Sequence, residues 1–209
     1  MRKRLPYLIG VTGSIGMGKT ETARMFAELG IPVYDADAAV HRLYESDGSA
    51  VQEIAREFPG CVVDGRVDRG ALSKAIAAEK LGLKRLEAIV HPRVAEEQRR
   101  FLDKAAAEGA EMVVLDIPLL FETGGHSRMD AVVVVTAPAD VHRARVLDRP
   151  DMTEEKFDHI LSRQMSDTEK RAQAHFVVET DKGFDHARAQ VREIVAALHK
   201  RRLKEQKLA

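Results

Sequence analysis

Short runs of continuously apolar residues punctuate the chain, separated by stretches in which apolar positions recur every three or four residues. The runs are Tyr7 to Thr12, Ile31 to Tyr34, Met112 to Asp116, Ala131 to Thr136 and Phe176 to Glu179. Most show no polar alternation, which fits parallel strands covered on both faces, although short apolar runs alone do not exclude helix. Between the first two, Lys19 to Leu29 carries Ala23, Phe26, Ala27 and Leu29 on one helical face. Gly30 then makes a good helix stop, and Pro32 prevents continuation. The chain therefore opens as strand, glycine-rich loop, helix, strand, a βαβ unit with a right-handed crossover.

From Ala38 to about Gly109 the pattern changes. Helical spacing fills Ala38 to Tyr44, Ala50 to Phe58, Ala71 to Ala78 and Leu83 to Ala107, with Pro92 expected to break or kink the last. The one strand-like run there is the brief Cys61-Val62-Val63. This predicts a mostly helical insertion carried on the sheet. Strands then resume, with Asp140 to Leu147 as a helix between the fourth and fifth. Arg149-Pro150 interrupts before Thr153 to Met165, a charged helical segment suited to a mobile lid. An amphipathic helix from Phe184 to Leu203 follows. The predicted division is a core of residues 1–37, 110–148 and 169–209, an insertion at 38–109 and a lid at 149–168. The fold class is α/β, with a five-stranded parallel sheet flanked by helices.

Composition narrows the class. Of 209 residues, 44% are hydrophobic and 32% charged, which suits a folded core and not a disordered chain. Thirty-three basic residues balance thirty-three acidic ones, so no global field recruits nucleic acid or an anionic membrane. The basic run Lys200-Arg201-Arg202-Leu203-Lys204 reads as a solvated helix end, where cations suit the dipole. A single cysteine, Cys61, excludes a disulfide framework and a cysteine-based zinc cluster. No two of the eight histidines stand three or four residues apart, so a helical metal pair is unsupported. Met1-Arg2-Lys3-Arg4 before Leu5 to Val11 superficially resembles a secretory signal, but the apolar stretch is short and lacks a small-residue cleavage site. No other stretch approaches the ~18 apolar residues of a membrane span. A cytoplasmic protein, without nucleic-acid or membrane partners, is expected.

The chemistry enters with Gly13-Ser14-Ile15-Gly16-Met17-Gly18-Lys19-Thr20, which matches G-x-x-x-x-G-K-[ST] at every fixed position. Glycines let the backbone curl with its N–H groups inward, and no side chain blocks a phosphate. The nest opens onto a helix N-terminus, so unpaired amides and helix dipole favour the same anion. Lys19 brings charge to the β- and γ-phosphates, and the Thr20 hydroxyl is a ligand for Mg²⁺. An ordinary glycine-rich turn would match by chance in a chain this long on the order of one time in a hundred. Such a loop specifies phosphate binding and leaves the reaction open. No N-K-x-D for guanine selection is present, and motor ATPases generally need more chain. Size, insertion and lid favour a small-molecule kinase over a nucleotide-hydrolysing switch.

Tyr34-Asp35-Ala36-Asp37 ends the second strand, at the edge where open α/β sheets place ligands. Transfer to a hydroxyl benefits from a carboxylate that receives the proton or orients the nucleophile. Asp37 is the preferred acceptor-facing base, with Asp35 orienting the loop or capping the following helix. Both could instead merely cap that helix.

The loop and this Asp-Ala-Asp together resemble the dephospho-CoA kinase family. Further segments extend the resemblance from about Leu8 to the last helix: Asp64-Gly65-Arg66-Val67-Asp68-Arg69, Leu86-Glu87-Ala88-Ile89-Val90-His91-Pro92-Arg93-Val94 and Ile117-Pro118-Leu119-Leu120-Phe121-Glu122. The resemblance implies ATP-dependent phosphorylation of the ribose 3′-hydroxyl of dephospho-CoA, the final step of CoA synthesis. It implies Asp37 as catalytic base, His91, Pro92 and Arg93 lining the CoA side, and Pro118, Leu119 and Leu120 as pocket wall. Arg145 and Arg149 match two family arginines, Arg145 joining Glu21 among the nucleotide contacts and Arg149 neutralising the transferring phosphoryl group from the lid. Thr12 is grouped with the acceptor contacts. Asp116, ending an apolar strand, is either a Mg²⁺ or water ligand or a loop-orienting residue. The chain departs from the family pattern at His142, where glutamine is usual, at His41, and at Ala174-His175-Phe176-Val177-Val178-Glu179-Thr180, whose family counterpart ends in asparagine. ATP, Mg²⁺ and dephospho-CoA are the expected ligands.

Overall fold

The computed structural model describes residues 5–208, with side chains through residue 202. The N-terminal Met1 to Arg4 and the side chains of Leu203 and Lys204, part of the basic helix end, lie outside the described residues. Strand β1 (Tyr7–Thr12) leads through the glycine loop into α1 (Lys19–Glu28) and then β2 (Val33–Asp35). Next come α2 (Ala36–Tyr44), α3 (Val51–Glu57), the pair β3 (Val62–Val63) and β4 (Arg66–Val67), α4 (Arg69–Ala78) and α5 (Gly82–Ala107). The chain continues with β5 (Met112–Asp116), a 3-10 turn (Gly125–Arg128), β6 (Ala131–Thr136), α6 (Ala139–Leu147) and α7 (Glu154–Leu161). It ends with α8 (Asp167–Gln173), β7 (Phe176–Glu179) and α9 (Phe184–Leu208).

The five long-range strands form one parallel sheet in the order β2-β5-β1-β6-β7, flanked by helices. Ile9, Val11, Val114, Val133 and Val178 are buried in the core with Phe26 of α1 and Leu198 of α9. Leu120, Phe121, Val132 and Val134 form a second cluster. Burial of successive residues along one strand explains why these runs lack polar alternation. The register pairs Val11 with Asp116 and Thr12 with Val134, so β1, β5 and β6 end at one edge, where the glycine loop begins.

The chain divides into two compact units, Met1–Tyr34 with Ala105–Ala209, and Asp35–Lys104. The second has its own core, in which Leu43, Ile54, Phe58, Leu72, Ile89 and the free Cys61 are buried.

Several elements differ from the sequence expectation. The second strand begins at Val33 and not at Ile31, because Pro32 lacks a donor and contributes its carbonyl alone, accepting from the Val114 N–H at 2.9 Å. Pro92 does not break α5, which runs on through it. Arg93 Nη1 donates to the Ile89 carbonyl at 2.6 Å, adding a side-chain partner in the turn where proline removes a backbone donor. Cys61-Val62-Val63 belongs to a hairpin, β3 pairing with β4 around the Asp64-Gly65 turn, whose two residues have φ of 49° and 75°. The expected helix of Thr153 to Met165 stops at Leu161, and a separate α8 begins after Ser166.

Candidate active site

The loop is shaped by close approach. A Cβ on Gly13 would run into the Val135 carbonyl of β6 and one on Gly16 into Val146 of α6, while one on Gly18 would sit tightly, 3.2 Å from the Thr180 methyl. Gly16 and Gly18 also have φ of 78° and 92°, the left-handed region that side chains disfavour. Ser14 is buried, and Met17 is wedged inward with its Sδ accepting from the Ala137 N–H at 3.2 Å. Gly18 occupies the N-cap of α1 and no side chain caps that end, so the first-turn amides stay open to an anion.

Lys19 reaches from the start of α1 to the carboxylate of Asp116, the last residue of β5, and the two form a close ion pair. Asp116 is 1% exposed, so the loop's cation is fixed by a buried charge across the sheet edge. Thr12 is fully buried and its hydroxyl donates to the Pro118 carbonyl at 2.9 Å, tying the end of β1 to the loop after β5. Beyond it Leu119 is exposed, whereas Leu120 is buried in the core. Thr20 is exposed, and Glu21 pairs with Arg24 at 2.7 Å. A hydroxyl at Thr20 and a carboxylate at Asp116 are hard oxygen donors of the kind Mg²⁺ takes. No cluster of three or more His, Cys, Asp or Glu able to hold a metal exists among the described residues. The donor set therefore fits an ion that takes most of its ligands from phosphate and water.

Arg145 of α6 donates to the Thr180 hydroxyl at 2.8 Å and to the Thr180 carbonyl at 2.7 Å. The same hydroxyl lies 2.8 Å from the Met17 carbonyl, so Thr180 joins the loop to the arginine. Thr180 was visible in the sequence as a departure, but its bonding was not. Beside it opens a pocket of about 310 Å³ lined by Gly16, Gly18, Glu21, Arg145, Thr180 and Phe184, among others. Arg149, two residues past the end of α6, is exposed.

Sequence reasoning also missed a buried ion pair between α8 and the loop after β5. Lys170 of α8 is 0% exposed and its Nζ stands 2.9 Å from Glu122 Oε1, which also accepts from the Met165 N–H at 2.8 Å. Burial by itself would raise the Glu122 carboxyl, but the Lys170 ammonium and backbone donors outweigh it and hold the group below the usual range. Removing one member strands the other. Lys170→Met should cost about 3–5 kcal/mol in urea denaturation, and adding Glu122→Leu should return part of that loss.

In the second unit Asp35 is the N-cap of α2, its Oδ1 accepting from the Ala38 N–H at 2.8 Å. Capping is thus supplied by Asp35, and Asp37 in the first turn is exposed. Asp37 lines a pocket of about 510 Å³ with His41, Tyr44, Arg69, Leu72 and Ile76. The Arg69 guanidinium lies 6.0 Å from the Tyr44 ring centroid. Burial raises the Tyr44 hydroxyl pKa, against the pull of Arg69, so the phenol stays a donor. His91 and Pro92 are exposed on α5, outside the lining of this pocket. Arg93 is spent internally, bonded to the Ser49 and Ile89 carbonyls and to Glu53.

No helix among the described residues is long and apolar enough to cross a membrane. A family model of dephospho-CoA kinases matches residues 7–186. The dephospho-CoA kinase of Rhodopseudomonas palustris (strain HaA2) is 56% identical over 190 residues, 91% of this chain and 94% of that relative. A solved Thermus thermophilus structure, 35% identical, has a TM-score of 0.80 and covers 93% of this chain and 98% of its own. The dephospho-CoA kinase structure from Campylobacter jejuni, 20% identical, shares the fold with a TM-score of 0.64 over 93% of this chain and 98% of that one. Matched by the family model over most of its length, and by such relatives, this chain belongs to the dephospho-CoA kinase family.

Proposed function

We propose that this chain transfers the γ-phosphoryl group of ATP to the ribose 3′-hydroxyl of dephospho-CoA, giving coenzyme A and ADP. The observation that carries the reading is the phosphate loop with its Lys19–Asp116 pair, in a chain of this family. The amides of Gly13 to Thr20 cradle the phosphates, and Lys19 offsets charge on the β- and γ-phosphates. Thr20 would hold Mg²⁺, with Asp116 as a further ligand or as the residue that orients the loop, and the ion would neutralise phosphate charge. The pocket beside Gly18 and Arg145 takes the nucleoside of ATP, with Glu21 on its rim. Arg149 meets the transferring group when residues 149–168 act as a lid, excluding water so that ATP is not hydrolysed.

Asp37 accepts the proton as the acceptor hydroxyl attacks. The pocket it lines suits an anionic acceptor with an apolar arm, because Arg69 and His41 supply cationic or donor groups over a floor of Leu72 and Ile76. The family motifs also assign His91, Pro92, Pro118 and Leu119 to the acceptor side; of the remaining family positions, Thr12 and Leu120 are buried and Arg93 is bonded internally, so in this reading they support the acceptor site and do not touch the acceptor. Residues 38–109 form the acceptor domain in this reading, and the enzyme works in the cytoplasm.

ADP release measured with dephospho-CoA, AMP or shikimate as acceptor tests this reading. Only dephospho-CoA should sustain turnover, with little ATP consumed when no acceptor is present. Equal turnover without acceptor would instead identify a nucleotide-hydrolysing regulator, and turnover on AMP a different kinase.

A further inference from the structure

His142 is the fourth residue of α6, with Val146 one turn on, and it takes no part in the proposed reaction. It is 6% exposed. Its Nε2 lies 2.5 Å from the Ile15 carbonyl inside the phosphate loop. A carbonyl only accepts, so the ring carries its proton on Nε2. The other face of the imidazole meets Phe157 of α7 edge-on, ring centroids 5.1 Å apart at 81°. Phe157 is itself buried, and α7 is tied to α6 a second time by Arg143, which pairs with Glu154 at 2.7 Å. One side chain therefore touches both the loop that holds phosphate and the helix of the expected lid.

The contact with Ile15 has a consequence for the loop. No cis peptide bond occurs among the described residues, so the Ile15 carbonyl and the Gly16 N–H point to opposite sides of their shared peptide. Holding the carbonyl on α6 turns the N–H away from α6. A nest binds an anion only when successive N–H groups converge, so this peptide must not flip. Burial lowers the imidazole pKa, assisted by Arg145 and Arg149 and opposed by the Ile15 carbonyl and Asp167. The ring is consequently neutral near pH 7, with a fixed tautomer.

We propose that His142 is a positioning residue that couples lid helix to phosphate loop, its Nε2–H fixing the Ile15–Gly16 peptide while its ring seats Phe157. The inference rests on the reading that this loop binds ATP. The two contacts are separable by substitution. His142→Phe keeps an aromatic ring against Phe157 but cannot donate; His142→Gln keeps a donor but loses the ring. Phe157→Leu removes the ring contact from the other side.

Titration of the full chain with MgATP, together with steady-state rates on dephospho-CoA, gives the readout. His142→Phe should weaken ATP binding about tenfold, because an Ile15 carbonyl without its buried donor favours a flipped peptide that ATP must turn back on binding. His142→Gln should bind ATP within about twofold of wild type, because the amide replaces the donor, yet turn over several-fold more slowly. Phe157→Leu should match His142→Gln, and the double variant should be no slower than either alone. Equal effects of His142→Phe and His142→Gln on both parameters, or a change in melting temperature alone, would overturn the proposal. If wild type itself did not bind ATP, the reading of the loop would fall instead.

Discussion

Lys19→Ala should lower turnover by about 10³-fold or more, because removing a fixed charge from a phosphoryl-transfer site costs at least that order. The structure makes this substitution more than a loss of one cation. Lys19 forms its ion pair with Asp116, which is 1% exposed, so the variant leaves a buried carboxylate without this ammonium. Stability should therefore fall together with activity. The two effects can be parted with Lys19→Ala/Asp116→Asn, in which the buried negative charge is also removed. The double variant should recover much of the melting temperature and none of the turnover. A folded Lys19→Ala protein with wild-type turnover would remove the loop from the mechanism.

Asp37→Asn carries the second large effect. A ribose hydroxyl is a poor nucleophile that must lose its proton as the phosphoryl group arrives. Asparagine keeps the size and polarity of the side chain while removing its charge and basicity. The fold should be spared, because Asp35 and not Asp37 caps α2, through the Ala38 N–H at 2.8 Å. Melting should stay near wild type and both substrates should still bind. Single-turnover phosphoryl transfer should fall ~10²-fold or more. A near-normal rate in the folded variant would leave the base to be sought elsewhere, with His41 of the same pocket the first place to look.

The parallel strands were the most legible part of the sequence. Tyr7–Thr12, Met112–Asp116, Ala131–Thr136 and Phe176–Glu179 are continuous apolar runs because the sheet buries them on both sides. The elements that escaped are short or locally directed. Cys61-Val62-Val63 reads as strand-like, but its two-residue partner Arg66–Val67 has no periodicity to read, although the Asp64-Gly65 turn between them is a hairpin signal. α8 is announced by Ser166 and Glu169, a capping box three residues apart, but its seven residues are too few to show a helical stripe. The loop's own residues were legible because their spacing is a consequence of phosphate geometry. Its supports were not. Thr180 and His142 reach the loop from distant parts of the chain, and a single sequence gives no measure of that proximity. Lys170 likewise looked like one charge among many, yet it is buried against Glu122.

Identification of the product made from MgATP and dephospho-CoA tests the central claim most directly. Phosphorus NMR of that reaction should show a new phosphomonoester on the ribose 3′-oxygen, formed one for one with ADP. ADP accompanied by inorganic phosphate alone, or a phosphate placed on another hydroxyl, would contradict it.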